Sequence, residues 1–475
     1  MKGILRKEVL RSIMKNILTI ILALLALNSC TSSKNQHDEV PLLKISENGR
    51  FFQYESGKPF FWLGDTGWLL FSKLNRDEAV TYLDDRKNKG FNVIQAMVLH
   101  SIKAANIYGD SALINGNVTQ PLLKEGNSFE QPETYDYWDH MDYIVQLAEE
   151  RGMYMALVPV WGSNVKNGSV SLEQAGTYAT WLAKRYANRP NIIWLNGGDT
   201  RGDQNTEIWD TIGRSLRANA PEHLITFHPF GRTKSSMWFH DEEWLDFNMF
   251  QSGHRRYDQD DSDLAYGQDN WKYVRDDYAL SPVKPTLDGE PSYEGIPQGL
   301  HDPSEPYWNE DDLRRYAYWS VFAGGCGFTY GHNAIMQFHK PGDEDPAYGV
   351  KEYWTEALNA QGAGQMKYLK ELILSKPYFE RVPDQSLIAS NQGEKYDYQI
   401  ATRGEEYAFV YSYNGRDIAV NMEILKGEIV TAFWYNPRNG ETATIGKFDN
   451  TSTKSFDPPG EMEDGNDWVL VLESE

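Results

Sequence analysis

The 475-residue sequence predicts an α/β fold, a closed (β/α)8 TIM barrel followed by a small antiparallel β-sandwich. Two observations carry that expectation. Eight apolar runs rich in β-forming residues alternate with stretches that are apolar at i, i+3 and i+4, the pattern of parallel strands joined by helices. Beyond Pro377 this alternation stops, and short strands separated by turn residues take its place.

At the N-terminus, Lys2, Arg6, Lys7, Arg11 and Lys15 precede the apolar run ILTIILALLAL at 17–27, which is short for a membrane span and shaped like a signal peptide. MKNILTIILALLALNSC, beginning at Met14, is a complete signal by itself. Leu27-Asn28-Ser29-Cys30 resembles a bacterial lipobox, in which the cysteine becomes the mature N-terminus and carries lipid. Residues 1–30 are therefore expected to be a lipoprotein signal peptide with lipidation at Cys30, and 31–40 a polar tether. The location expected is the bacterial cell envelope, with the chain anchored by lipid at the outer-membrane surface or in the periplasm.

Residues 41–376 are expected to form the barrel. Asn48-Gly49 and Ser56-Gly57 mark turns between short strands ahead of it. The eight barrel strands are read in FWLGD (61–65), FNVIQAMVLH (91–100), MYMALVPVWG (153–162), NIIWLNGGD (191–199), LITFHPF (224–230), DFNMFQSGH (246–254), PTLDGE (285–290) and GGCGFTYGH (324–332). Amphipathic stretches such as LEQAGTYATWLAKRYANR and EDDLRRYAYWSVFAG lie between them. An open doubly wound sheet is the structural alternative, but no Gly-rich phosphate loop follows the first strand. A last helix is expected over about 353–375, and the sandwich over 377–475.

The formal charge is −22; residues 1–29 carry +4, so the remainder carries −26. A body this acidic repels phosphate backbones, which argues against nucleic acid as a partner. With Cys30 lipidated, Cys326 is the one cysteine left and no disulfide forms.

Active sites of such barrels gather at the C-terminal ends of the strands, so the polar residues that close each apolar run are the candidates: Asp65, His100, Trp161, Asp199, His228, Gln251, His254, Glu290 and His332. Asp199 ends the fourth run after Gly197-Gly198, and Glu290 ends the seventh after Asp288-Gly289. Strands four and seven face each other across an eight-stranded barrel, which lets the two carboxyls converge. Two convergent carboxyl groups are what hydrolysis of a glycosidic bond requires. Asp65, Trp68, His100, Trp161, Gln251 and His254 are the expected substrate-binding residues, the tryptophans by stacking on sugar faces.

Other readings stay open at this level. A metal-dependent barrel hydrolase would use His228, His254 and His332, although the first strand lacks an HxH pair and no HExxH motif occurs. Asp258, Asp260, Asp261 and Asp263 form an acidic string without the glycine and distal glutamate of a calcium loop. A non-catalytic, glycan-binding surface lipoprotein is a third reading. No cofactor or metal is expected, and the chain is expected to be a monomer.

FFWLGDTGW, NIIWLNGGD, LDGEPSYEG and FWYNPRNGE together resemble the DUF4038 group that includes glycoside hydrolase family 140, the apiosidases, with a companion collagen-binding-type domain at the C-terminus. The resemblance covers about residues 40–475. It implies retaining hydrolysis with Asp199 as acid/base and Glu290 as nucleophile. It further implies action on plant cell-wall polysaccharide, at apiose in side chains of the pectin rhamnogalacturonan-II, with another pentofuranosidase or glycosidase of the same barrel class as the alternative. Asp199 departs from the Asn-Glu ending of the fourth strand found in related barrels.

Overall fold

A computed structural model describes residues 40–260, 266–389 and 391–474. Cys30, residues 31–39 of the expected tether, Asp261 and Asp263 lie outside them. The eight expected runs each form a strand: β1 (Trp62–Thr66), β2 (Val93–Met97), β3 (Tyr154–Val158), β4 (Ile192–Thr200), β5 (Ile225–Pro229), β6 (Asn248–Gln251), β7 (Thr286–Asp288) and β8 (Gly327–Tyr330). They pair in parallel in the order β5-β4-β3-β2-β1-β8-β7-β6. Their near-continuous burial explains why they read as unbroken apolar runs rather than as alternating ones.

The seam between β5 and β6 is not a ladder. There the Asp246 amide donates to the Ile225 carbonyl at 2.8 Å, Asp246 Oδ2 accepts from the Ile225 amide at 2.7 Å, and the Thr226 hydroxyl donates to the Phe247 carbonyl at 2.5 Å. A two-residue strand, Thr233–Lys234, runs antiparallel to the end of β6.

A helix follows each strand: α1 (Arg76–Asn88), α2 (Tyr137–Glu149), α3 (Leu172–Tyr186), α4 (Thr206–Asn219), α5 (Ser236–Phe239), α6 (Trp271–Tyr278), α7 (Glu310–Phe322) and α8 (Gln361–Leu374). Four of them start on capping boxes written in the sequence: Asn75/Glu78, Asp136/Asp139, Ser171/Gln174 and Asn309/Asp312. The expected helix over 353–375 is two helices, Trp354–Ala357 and α8. Ahead of α8, Ala360 turns extended at ψ 138°, and the Gly362 amide reaches the Glu294 carboxylate.

The three short strands ahead of the barrel form a meander whose turns use Gly49 (φ 71°) and Gly57 (φ 80°). Phe52 packs on Phe247 (ring centroids 5.0 Å apart) and Trp62 (6.0 Å), at the starts of β6 and β1. The meander therefore plugs the N-terminal end of the barrel and leaves the other end for chemistry.

The C-terminal strands are β9 (Val382–Pro383), β10 (Ile400–Arg403), β11 (Tyr407–Ser412), β12 (Ile418–Asn421), β13 (Ile429–Tyr435), β14 (Thr442–Asp449), β15 (Thr453–Phe456) and β16 (Trp468–Ser474). Six make an antiparallel sheet in the order β9-β10-β11-β16-β13-β14, and β12 pairs with β15. This sheet docks on α7. Arg314 and Asp467, 1% and 0% exposed, form a two-pronged pair with both shortest contacts at 2.9 Å, and Tyr411 donates to the same carboxylate. Beside them Tyr318 stacks on Tyr411 and Phe322 on Phe409.

Candidate active site

Asp199 owes its position to its backbone. Pairing of β4 with β5 shifts register between Gly197 and Thr200, with Gly197 at φ 96°, Gly198 at φ 101° and Asp199 at φ 46°. A Cβ on Gly198 would lie 2.6 Å from the Trp161 ring. The left-handed region admits aspartate and asparagine more readily than longer residues, because the short polar side chain bonds locally. That accounts for an aspartate at this strand end. Asn196 turns away, donating to the Trp209 carbonyl at 2.8 Å.

Glu290 follows β7 directly. Gly289 leaves room for Met249, whose terminal carbon would sit 1.8 Å from an added Cβ, and Gln95 on β2 donates to the Gly289 carbonyl at 2.8 Å across the barrel interior. Asp288 faces the opposite way, taking hydrogen bonds from Asn270 (2.8 Å) and Ser252 (3.1 Å), and burial pushes its carboxyl up to about 7.

One ligating atom each from Asp199, His228 and Glu290 lie within 4.8 Å of one another. His228 Nε2 approaches Glu290 Oε2 to 2.9 Å, yet neither atom has an aligned hydrogen-bond partner among the described residues, so this is an off-axis ion contact. The Asp199 amide faces His228 Nδ1 at 3.5 Å, and Nε2 is the ring nitrogen turned toward Glu290. His254 Nε2 lies 3.7 Å from Glu290 Oε1. Tyr293 lies beside Glu290 and accepts from Trp68 Nε1 at 3.1 Å.

These surroundings push the two carboxyls apart. Burial, and then the charge of Glu290, raise Asp199 to about 7, against the opposing pull of His228 and of the Gln251 amide beside it. The Asp199 side chain is open to solvent at the pocket mouth yet ringed by protein atoms, which reconciles its exposure with its raised value. Burial works against ionisation of Glu290 too, but the two imidazoles of His228 and His254 against it outweigh this and hold that carboxyl well below its ordinary range. Burial disfavours a charged His228, and Glu290 more than offsets this, so the imidazole holds its proton more tightly than usual. One carboxyl kept protonated beside one kept ionised is the arrangement that acid-assisted displacement needs.

Trp68, Trp161, Gln251 and His254 all meet at this site. The Trp68 and Trp161 rings lie 5.4 Å apart, with His228 at 5.3 and 5.7 Å from them. Gln251 Oε1 has no hydrogen-bond partner among the described residues. Asp65 is a correction: it is 0% exposed and faces α1, accepting from Arg86 Nε and the Tyr82 hydroxyl, both at 2.6 Å, because a strand residue followed by a helix can point outward into that helix. His100 sits apart from the carboxylates, bonded to Ser72 at 3.2 Å. His332 caps the short helix Asn333–Met336 and contacts Glu352 at 3.2 Å, so the three histidines of the metal reading do not converge. Asp258 pairs with Arg256, and Asp260 with Arg232 at 2.7 Å. The expectation missed the contribution of Tyr293, although it stands three residues past Glu290, and the pairing of His228 with Glu290.

A family model described as "Apiosidase-like, catalytic domain" matches residues 46–380. The chain belongs to the apiosidase-like family. Residues 382–473 match the model "Putative collagen-binding domain of a collagenase". A solved structure titled "Glycoside hydrolase" is 48% identical, with TM-score 0.86, covering 92% of this chain and 97% of its own. A glycoside hydrolase family 5 structure from Bacteroides vulgatus is 46% identical, with TM-score 0.86, covering 92% and 94%. The curated proteins compared with the chain gave no match. This member of the apiosidase-like family is a glycoside hydrolase, and its pocket holds two carboxyls in opposite protonation preference.

Proposed function

We propose that the protein is a retaining apiosidase that releases sugar from rhamnogalacturonan-II side chains. The observation that carries the mechanism is the spacing: oxygens of Asp199 and Glu290 lie within 4.8 Å of each other. Retaining pairs stand about 5–5.5 Å apart, whereas inverting pairs leave about 6.5–9.5 Å for a water. In this reading ionised Glu290 attacks the anomeric carbon while protonated Asp199 donates to the leaving oxygen. Asp199, then ionised, takes a proton from the water that opens the glycosyl–Glu290 ester. His228 and His254 keep Glu290 ionised, and Gln95 holds the backbone beside it through the Gly289 carbonyl. Trp68 and Trp161 stack on the sugar, and Gln251 Oε1 accepts a sugar hydroxyl.

The choice of apiose is supported by the family description and the four matching motifs. Incubating the mature protein with rhamnogalacturonan-II fragments and a panel of aryl pentosides, with a chelator control, tests it. Release of apiose with retained anomeric configuration is expected; hydrolysis confined to another sugar, or inversion, overturns the proposal. We also propose a lipid anchor at Cys30 and residence in the bacterial envelope, supported by the lipobox-like Leu27–Cys30 string. Cys30→Ser is expected to move the protein from the membrane to the soluble fraction; equal partitioning of both forms overturns it.

A further inference from the structure

Each of the three residues that follow β6 is joined to β7 or to the connection after it, the stretch that carries Glu290. The Ser252 hydroxyl donates to the Asp288 carboxyl at 3.1 Å. Gly253 donates its amide to the Glu290 backbone carbonyl at 3.3 Å, and its own carbonyl accepts from the Ser292 hydroxyl at 2.7 Å. The His254 carbonyl accepts from the Gly299 amide at 2.6 Å and from Trp308 Nε1 at 3.2 Å. At the end of this series the His254 side chain reaches Glu290, with Nε2 3.7 Å from Oε1. A histidine that acts through one ring nitrogen is ordinarily aimed by a hydrogen bond at the other. His254 lacks that aid: its buried Nδ1 has no hydrogen-bond partner among the described residues. The ring meets Tyr293 edge-on, with centroids 4.8 Å apart, and its direction is otherwise set by the backbone of 252–254.

Of the groups that hold this backbone, Asp288 alone does so with a charged side chain. It also holds Asn270, which heads α6. Asn270 Nδ2 donates to Asp288 at 2.8 Å and to the Tyr316 carbonyl on α7 at 2.8 Å, while the Tyr316 hydroxyl accepts from Ser292 at 3.2 Å. Asp288, Ser252, Asn270 and Ser292 are each 3% exposed or less. One buried carboxyl thus fixes both the start and the end of the β6–α6 connection. Burying it is costly, and the bonds do not fully offset that cost, since burial raises Asp288 to about 7. An apolar residue would avoid the cost but leave Ser252 and Asn270 without their acceptor.

We propose that Asp288 is a positioning residue for glycoside hydrolysis: by holding Ser252 and Asn270 it fixes the backbone ahead of His254 and so keeps that imidazole against Glu290. This rests on Glu290 as the nucleophile, as proposed above, and is independent of which sugar is cleaved.

The test is a double-mutant cycle, read on an aryl glycoside that the wild-type chain hydrolyses. Asp288→Ala and Ser252→Ala are each made in the wild-type and in the His254→Gln background. Each is expected to lower kcat by about tenfold in the wild type, the order of loss when a group at the reacting centre is slightly misplaced. Where the His254 imidazole is already gone, the loss is expected to be less than about twofold. The pH profile gives a second reading. Glu290 is faced by His228, His254, Asp199 and Tyr293, and feels the Asp288 charge as well. Ser252→Ala leaves that charge in place and withdraws His254, one of the two groups that lower Glu290. The acid limb of kcat/KM is therefore expected to move to higher pH in this variant, a shift that a mere loss of folded protein would not produce. Equal loss in the two backgrounds, an unmoved acid limb in Ser252→Ala, or wild-type kcat in both single variants overturns the assignment. Should Asp288→Ala fail to fold, Ser252→Ala carries the cycle alone. A Glu290→Gln protein with wild-type turnover overturns the nucleophile instead, and the cycle still judges whether Asp288 acts through His254.

Discussion

Replacing Asp199 with asparagine isolates the acid. Asparagine suits a φ of 46° and matches aspartate in size, so the variant loses its proton donor without strain, whereas alanine would add backbone cost. Loss of a positioned acid lowers turnover by about 10²–10⁴-fold. The loss is expected to be small for an aryl glycoside whose phenol leaves readily and large for a sugar leaving group. Wild-type kcat/KM is expected to fall as pH rises through about 7, where Asp199 deprotonates, and this limb should vanish in the variant. Stability moves the other way. A carboxyl raised to about 7 makes the ionised fold less favourable, an effect absent below the unfolded value near 4 and full above 7. For a fully buried group it would amount to about 4 kcal/mol; solvent at the pocket mouth screens it to about 1–2 kcal/mol. Thermal unfolding of Asp199→Asn is thus expected about 1–3 °C above wild type at pH 8 and level with it at pH 4. Equal loss across leaving groups, or an alkaline limb that survives the substitution, would refute the assignment.

Glu290→Gln should abolish turnover by at least about 10³-fold on all substrates, including those with good leaving groups, while remaining folded in circular dichroism. Asp65→Asn removes one of the two carboxylates that hold the buried Arg86 guanidinium, leaving Asp85 at 2.6 Å, and is expected to cost about 1–3 kcal/mol, read as a fall in Tm; an unchanged Tm with a raised KM would return Asp65 to the pocket. Ending the chain at residue 376 uncovers Arg314, Tyr318 and Phe322, so the truncated barrel is expected to aggregate on expression. A soluble, active truncation would show that the sandwich is dispensable for folding.

The barrel was legible because its strands are buried on both faces and end on polar residues, and because the stretches between them are apolar at i, i+3 and i+4. Asp199 and Glu290 stood out for the same reason, as carboxyls after glycine at strand ends. Asp65 looked alike in sequence, since a strand's last residues alternate between inside and outside and sequence alone does not say which way Asp65 falls. Its true partner, Arg86, lies on α1 and is found only once helix and strand are packed. Tyr293 escaped notice because a tyrosine in the loop after a strand carries no periodic signal, and its place against Trp68 follows only from the closed barrel. His228 was visible as a strand-end histidine, but only three-dimensional proximity separates a carboxylate partner from a metal ligand.

The unlaced seam between β5 and β6 gives the barrel one direction of compliance. Elsewhere neighbouring strands pair directly; here Asp246 and Thr226 join the base, and the strand Thr233–Lys234 that follows β5 pairs with the upper end of β6. His228 rides on one side of that slit and Gln251 on the other, and each touches one member of the catalytic pair. Widening at the top of the slit would separate the group that tunes Glu290 from the group that steadies Asp199. Thr226 and Asp246, both at the far end of their strands from the chemistry, therefore bear on the alignment of the two carboxyls without touching either.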